Sequence, residues 1–155
     1  MGNIYIYKTS QHLPLSLETA WDFFSKPKNL IILTPPSMHL VIESENNETT
    51  YSGQIITHRF SPFLKIYFNW ISEITHLDAL HYFIDEQRIG LFQFWHHQHI
   101  FKKTAKGVEV IDILHYKLPL GIIGKIAHVL FIKKKIHSIF EYRAKILTEK
   151  FGKIE

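Results

Sequence analysis

Cysteine is absent from the chain, which excludes disulfides and thiolate zinc sites and fits a reducing compartment. No run of eighteen or more apolar residues occurs, so no segment is long enough to cross a bilayer as a helix. The N-terminal "MGNIYIYK" lacks the basic-then-apolar layout of a signal peptide, and Ile6 stands where a myristoylation pattern needs Ser or Thr. A cytoplasmic location without stable membrane insertion is the resulting expectation. Charge is modest: 21% of residues are charged, against 46% hydrophobic and 14% aromatic. That balance excludes disorder and argues against a simple helical bundle. Internal repeats, linkers and low-complexity segments are missing as well. The 155 residues therefore read as one domain, 1–155, large enough to bury roughly 70% of the surface its unfolded chain exposes.

The net charge of +4 is uneven, with eight Lys and Arg against three Glu over residues 121–155 and ten against eleven before them. A basic end can meet nucleic acid or an anionic membrane surface. Lysines scattered along a long helix more commonly form a solvated face, so no nucleic-acid partner is expected.

What is present is a change of period along the chain. "NIYIYKTSQHLPL" is β-rich, and "SLETAWDFFSKPKNLIILTPP" predicts two short helices. Ser16 is placed to cap the first, Glu18 favours its positive end, and Pro27 and Pro35-Pro36 punctuate the stretch after it. From His39 to about Leu118 six period-two runs succeed one another, with turn chemistry at Asn46-Asn47, Ser61-Pro62, Leu77-Asp78, Gly90 and Lys106-Gly107. Six short-linked strands make an antiparallel meander. After "LPLG" the pattern is helical to the end, and Ile122, Ile126, Val129, Ile136, Phe140, Ala144, Leu147 and Phe151 fall on one face of the wheel. The only large partner for that face is the sheet. The fold class is α+β: a curved seven-stranded antiparallel sheet, two short N-terminal helices and a long C-terminal helix. Lys133 does not fit, because it falls in the middle of the apolar face. A kink near 131–135 that shifts the register, a snorkelling side chain, or an ammonium facing an acidic ligand would each account for it.

The segment "FIDEQRIGLFQFWHHQHIF" at 83–101 resembles the pattern F-x-D-E-Q-x-x-G-P-x-x-x-W-x-H-x-H-x-F, with Leu91 where the pattern carries Pro. "LPLGIIGKIAHVLFIKKKIHSIFEYR" at 118–143 looks like the final helix of the same proteins, and "FSKPKNL" and "LTPP" like their N-terminal helices. Together with the order of elements, nearly the whole chain resembles the START-like helix-grip domains of the SRPBCC superfamily, near the polyketide cyclase/dehydrase-like proteins. The resemblance implies a hydrophobic cavity between sheet and final helix, suited to a lipid or small ligand. The ring-rich inward face of the sheet predicts a void of ligand size, at least ~300 Å³.

The chemistry concentrates in "FWHHQHIF" at 94–101. In a strand, Trp95, His97, His99 and Phe101 share one face. If the following hairpin closes through residues 104–107, His99 stands opposite Asp112, His97 opposite Leu114 and Trp95 opposite Tyr116. Directly opposed Cβ atoms lie about 4.5–5.5 Å apart, so a His99–Asp112 hydrogen bond is geometrically cheap. Three uses of the cluster compete. A metal site would take His97 and His99, but the carboxylate in view is Asp112, already paired with a histidine, so neither metal nor cofactor is expected. Acid–base catalysis would use His99 and Asp112, without an accompanying nucleophile or oxyanion-binding motif. A polar patch that satisfies itself and orients a mostly apolar ligand is the reading adopted, with Trp95, His97, His99, Asp112, Tyr116 and Trp70 as the lining. Asp85, Glu86 and Gln87 sit near a hairpin end, where solvated or turn-bonding roles are expected. The binding of a hydrophobic or amphipathic molecule is the function these residues suit. A cyclase/dehydrase-type enzyme and a surface-interaction protein using the basic helix are its rivals.

Overall fold

The computed structural model describes residues 3–44, 49–63 and 65–154, and the Asn46-Asn47 turn lies outside them. Among the described residues there are seven strands: β1 (Tyr5–Leu13), β2 (Val41–Ile42), β3 (Ile55–Phe63), β4 (Ile66–Asp78), β5 (Tyr82–Ile89), β6 (Phe94–Thr104) and β7 (Gly107–Lys117). They form one curved sheet in the order β1-β7-β6-β5-β4-β3-β2, antiparallel at each pairing. Between β1 and β2 lie α1 (Leu17–Phe24) and two 3-10 turns, Pro27–Leu30 and Pro36–Met38. Ser16 caps α1 by accepting the Thr19 N–H at 3.1 Å, and a proline opens each 3-10 turn, where its missing N–H costs nothing. No helix among the described residues is long and apolar enough to cross a membrane.

The β6–β7 hairpin has the expected register, with His99 facing Asp112, His97 facing Leu114 and Trp95 facing Tyr116. Two turns fall elsewhere than expected. β3 continues through Ser61 and Pro62, which take up a register shift between Phe60 and Phe63. A bulge of this kind accommodates the N–H that proline lacks. β4 likewise runs on to Asp78, and the chain turns through Leu80 at φ 70°.

The C-terminal helix differs most from its predicted wheel. It consists of α2 (Gly121–Ala127), a π-helical segment (His128–Ile132) and α3 (Lys133–Phe151). From Ile136 onward Ile136, Phe140 and Leu147 are buried as expected. Upstream, Gly124 and His128 are the buried positions, while Ile122, Ile126 and Val129 are exposed. A π turn holds more residues than an α turn, so the inward positions upstream recur four apart and the apolar wheel slips off them. The same slip turns Lys133 to solvent. The shifted-register account of that residue is the correct one, and the ammonium does not enter the interior.

α3 lies over β1 and β7. Gln11 Nε2 donates to the Ala144 carbonyl at 3.0 Å, and the Tyr7 ring stacks on Phe140 with centroids 4.8 Å apart. One core joins Leu13, Trp21, Phe101, Val108 and Leu147; a second joins Leu114, Tyr116, Ile136 and Phe140. A third, of Met38, Phe60 and Trp70, is smaller, and the space beside it is left unfilled as a pocket.

Candidate functional site

β5, β6 and β7 lie side by side, and strand alternation brings Asp85, His97, His99 and Asp112 to one face. Asp85 stands opposite His97, and His99 opposite Asp112. Arg143 reaches the group from α3. The Asp112 Oδ1 atom accepts from His97 Nε2 at 2.9 Å and from Arg143 Nη1 at 3.0 Å. His99 Nε2 donates to Asp85 Oδ2 at 2.8 Å, and His97 Nδ1 lies 3.4 Å from the same oxygen. His99 Nδ1 is 3.1 Å from Asp112 Oδ1, but off the line a hydrogen bond requires. The hydrogen bond expected between the opposed residues His99 and Asp112 is thus replaced by two others. The His97 and His99 rings are tilted 45° with centroids 3.9 Å apart, so each aims a nitrogen past its direct neighbour.

Burial disfavours charge on all of these groups, and the pairings decide which charges survive. Burial pushes the Asp112 carboxyl up, but the Arg143 guanidinium, the bond from His97 and the nearby His99 ring overcome it and hold the group well below the carboxylate range. Asp85 is lowered against its burial by His99 and His97. Burial, reinforced by its histidine neighbour, lowers His97 despite the two carboxylates. His99 is also opposed by burial, yet Asp112 and Asp85 raise it. These directions keep the two carboxylates ionised beside Arg143, favour the proton on His99 and disfavour it on His97.

A cavity of about 240 Å³ opens over β3–β6, beneath the two 3-10 turns and the first turns of α3. This is below the ~300 Å³ expected, because Leu91, Phe92 and Trp95 fold inward onto Trp70. Gln87 holds the connection that carries them, donating to the Phe92 carbonyl at 2.6 Å and accepting its N–H at 3.1 Å. Trp70, Trp95, His97 and His99 line the cavity; so do Asp85, His58 and Arg143. His58 is buried against Trp70, with ring centroids 6.0 Å apart, and burial pushes its imidazole down to about 4.

Asp112 and Tyr116 do not line the cavity as expected. The helix covers β7 directly, so Asp112 meets Arg143 behind the histidines. The Tyr116 hydroxyl meets His128 Nε2 at 2.9 Å, and Tyr5 stacks on that imidazole at 3.5 Å.

No family model matches the sequence, and no curated protein matches it. Solved structures do. Protein CV1439 from Chromobacterium violaceum matches with a TM-score of 0.74 at 10% identity, over 96% of this chain and 98% of its own. Major latex-like protein 151 from Panax ginseng matches at 0.70 and 10%, over 97% and 99%. A Thalictrum norcoclaurine synthase mutant, in complex with a transition-state analogue, matches at 0.67 and 16%, over 97% and 98%. The chain is a helix-grip domain. At such identities the likeness is one of fold.

Three residues of this helix-grip domain's pocket are not legible as site residues in the sequence. Asp85 reads as solvated from its place near a hairpin end, yet alternation from Phe83 already sets it on the inward face. Arg143 lies seven positions after Ile136, on the buried stripe, where its charge argues against burial until Asp112 is seen to meet it. No local signal marks His58.

Proposed function

We propose that this helix-grip domain binds a hydrophobic or amphipathic small molecule, lipid- or polyketide-like, between the sheet and α3. One observation carries the reading: apolar walls from Ile56, Phe60, Trp70 and Ile139 end in a polar floor of Asp85, His97, His99 and Arg143. Walls of this kind supply affinity in proportion to the apolar area they cover, and a few polar groups fix orientation. Trp70, Trp95, His97 and His99 would touch the ligand. Asp112 would act through the histidines, and Tyr116 through the packing of β7. That a norcoclaurine synthase of the same fold holds a transition-state analogue supports an organic ligand. A cytoplasmic setting belongs to the same proposal.

The test is titration with an environment-sensitive naphthylamine probe, read by probe emission and by quenching of the indoles of Trp70 and Trp95. Saturable one-to-one binding is expected. Ile139→Trp, which fills the cavity from α3, should weaken binding at least about tenfold, ~1.4 kcal/mol, with circular dichroism unchanged. Binding indifferent to that substitution would place the probe elsewhere and refute the reading.

Acid–base catalysis is a second reading. It is favoured by His99, a cavity-lining imidazole raised between two carboxylates. Turnover that His99→Phe abolishes while probe binding persists would establish it over simple binding.

A further inference from the structure

We propose that Asp85, His97 and His99 form a divalent-cation site on the floor of the pocket, whose remaining coordination positions face the cavity and accept an oxygen of the bound molecule. The inference rests on the binding reading for the identity of that oxygen, but not for the cation itself.

The first support is the donor geometry. One ligand atom from each of Asp85, His97 and His99 lies within 4.8 Å of the other two. Asp85 Oδ2 is 2.8 Å from His99 Nε2 and 3.4 Å from His97 Nδ1. A tetrahedral cation with bonds of about 2.0–2.2 Å keeps its donors roughly 3.3 Å apart. The two Asp85 sides of the triangle already lie within about half an ångström of that spacing.

The second support lies behind the triangle. Metal-bound histidines pass their other N–H to a carboxylate or carbonyl, which fixes the tautomer and orients the ring. Here Asp112 does this for His97, its Oδ1 accepting from His97 Nε2 at 2.9 Å; the same oxygen lies 3.1 Å from His99 Nδ1, where a small turn of the ring would bring that nitrogen into line, and Arg143 anchors the carboxylate at 3.0 Å. That arrangement leaves the two remaining ring nitrogens aimed at Asp85.

The third support is access. Asp85, His97 and His99 line the cavity and Asp112 does not, so the open positions point where a ligand would sit. Metal binding by the sequence motif alone fails for want of a third donor, and it is Asp85, from the neighbouring strand, that supplies one.

Two imidazoles and one carboxylate, with no thiolate, suit Zn²⁺ or Fe²⁺ better than Mg²⁺ or Ca²⁺, which prefer all-oxygen shells. Both histidines coordinate as neutral rings, so a dication beside Asp85, Asp112 and Arg143 leaves the cluster one positive charge in excess. The favoured ligand therefore carries an acidic oxygen, a carboxylate, enolate or phenolate, on a hydrophobic skeleton.

The test uses the full chain, stripped with chelator and dialysed, then titrated with Zn²⁺ by calorimetry and with Co²⁺ by visible absorption. One equivalent should bind, with the absorption of a low-symmetry nitrogen–oxygen site. His97→Ala and the isosteric Asp85→Asn should each lower affinity at least about 100-fold, and Asp112→Asn about 10–100-fold through the outer shell. His96→Ala, on the opposite face of β6, should change nothing. If His97→Ala does not fold, Asp85→Asn carries the test with volume preserved. No stoichiometric binding, or binding that survives Asp85→Asn and His97→Ala, overturns the site. Probe binding by the metal-free chain is measured alongside. If it persists while the cation fails to bind, the pocket reading stands and the metal site alone falls.

Discussion

β6 carries histidines on both faces, and the two faces behave differently. Outward, His96 Nδ1 lies 2.7 Å from Glu86 Oε1, shorter than any contact His97 or His99 makes with a carboxylate. Both side chains of that outer pair keep about a quarter of their surface in water, 22% and 25%, and Glu86 also meets Arg88 at 3.4 Å. Inward, His97 and Asp112 retain 6% and 7%. Water can take over either partner of the outer pair, so that pair contributes little. Nothing can take over the inner one. Each inner charge is held against a desolvation cost, and removing a partner exposes that cost in full. Distance alone would rank the two faces the wrong way round.

The comparison can be broken most forcefully at Arg143. Arg143→Met leaves Asp112 ionised without its guanidinium, and a loss of about 3–5 kcal/mol is expected in urea unfolding at pH 7. The paired change with Asp112→Leu should cost less than Arg143→Met alone. A double variant no more stable than the single would mean the carboxylate is not the strained partner. Next comes the His97–Asp112 coupling. His97→Phe and Asp112→Leu, alone and together, should give an interaction energy of about 1–3 kcal/mol, and strict additivity would show that the two do not share a proton-mediated contact.

His58 sharpens the comparison, being buried beside the pocket without a carboxylate bound to it. Its imidazole is pushed from 6.5 to about 4 by burial, so the unfolded chain binds the proton more readily. The stability it contributes as a neutral ring is whole above pH 6.5 and is lost as pH falls toward 4. Relative to His58→Phe, the native chain should lose about 2 kcal/mol between pH 7 and pH 5. Parallel profiles would show that His58 is hydrated in solution. The smallest effect is expected outside, where His96→Ala should cost under about 1 kcal/mol at pH 7. A larger loss would contradict the ranking by burial.

The sheet is legible in the sequence because strand alternation and one hairpin fix a register, and a register places every side chain on its face. His97, His99 and Asp112 come together from that arithmetic. The helix is legible only from Ile136 onward, where α geometry holds. The π segment inserts a change of pitch that a uniform wheel does not contain, so the wheel puts Ile122, Ile126 and Val129 on the wrong side. Asp85 escapes the pattern for a different reason. Its polarity points to solvent, although its partners lie on the next strand, and the register of the β5–β6 hairpin is set by the connection at 90–93, which local alternation does not encode. Arg143 depends on how the helix docks over β7, which is more remote still.

The placement of β1 has a temporal consequence. Leu13 pairs with Val108 and Tyr5 with Tyr116, so β1 leaves the ribosome well ahead of partners roughly a hundred positions behind it. Closure of so long a loop costs entropy before any contact returns it, and chains built this way fold slowly for their size. The meander of β3 to β7 can zip hairpin by hairpin, and β1 and the helix above it are expected to dock last. Arg143 arrives with that helix, so Asp112 spends the early life of the chain without its guanidinium. The floor of the pocket is among the final parts to acquire its native charge state, and a nascent chain arrested before residue 143 should carry the strands without the site.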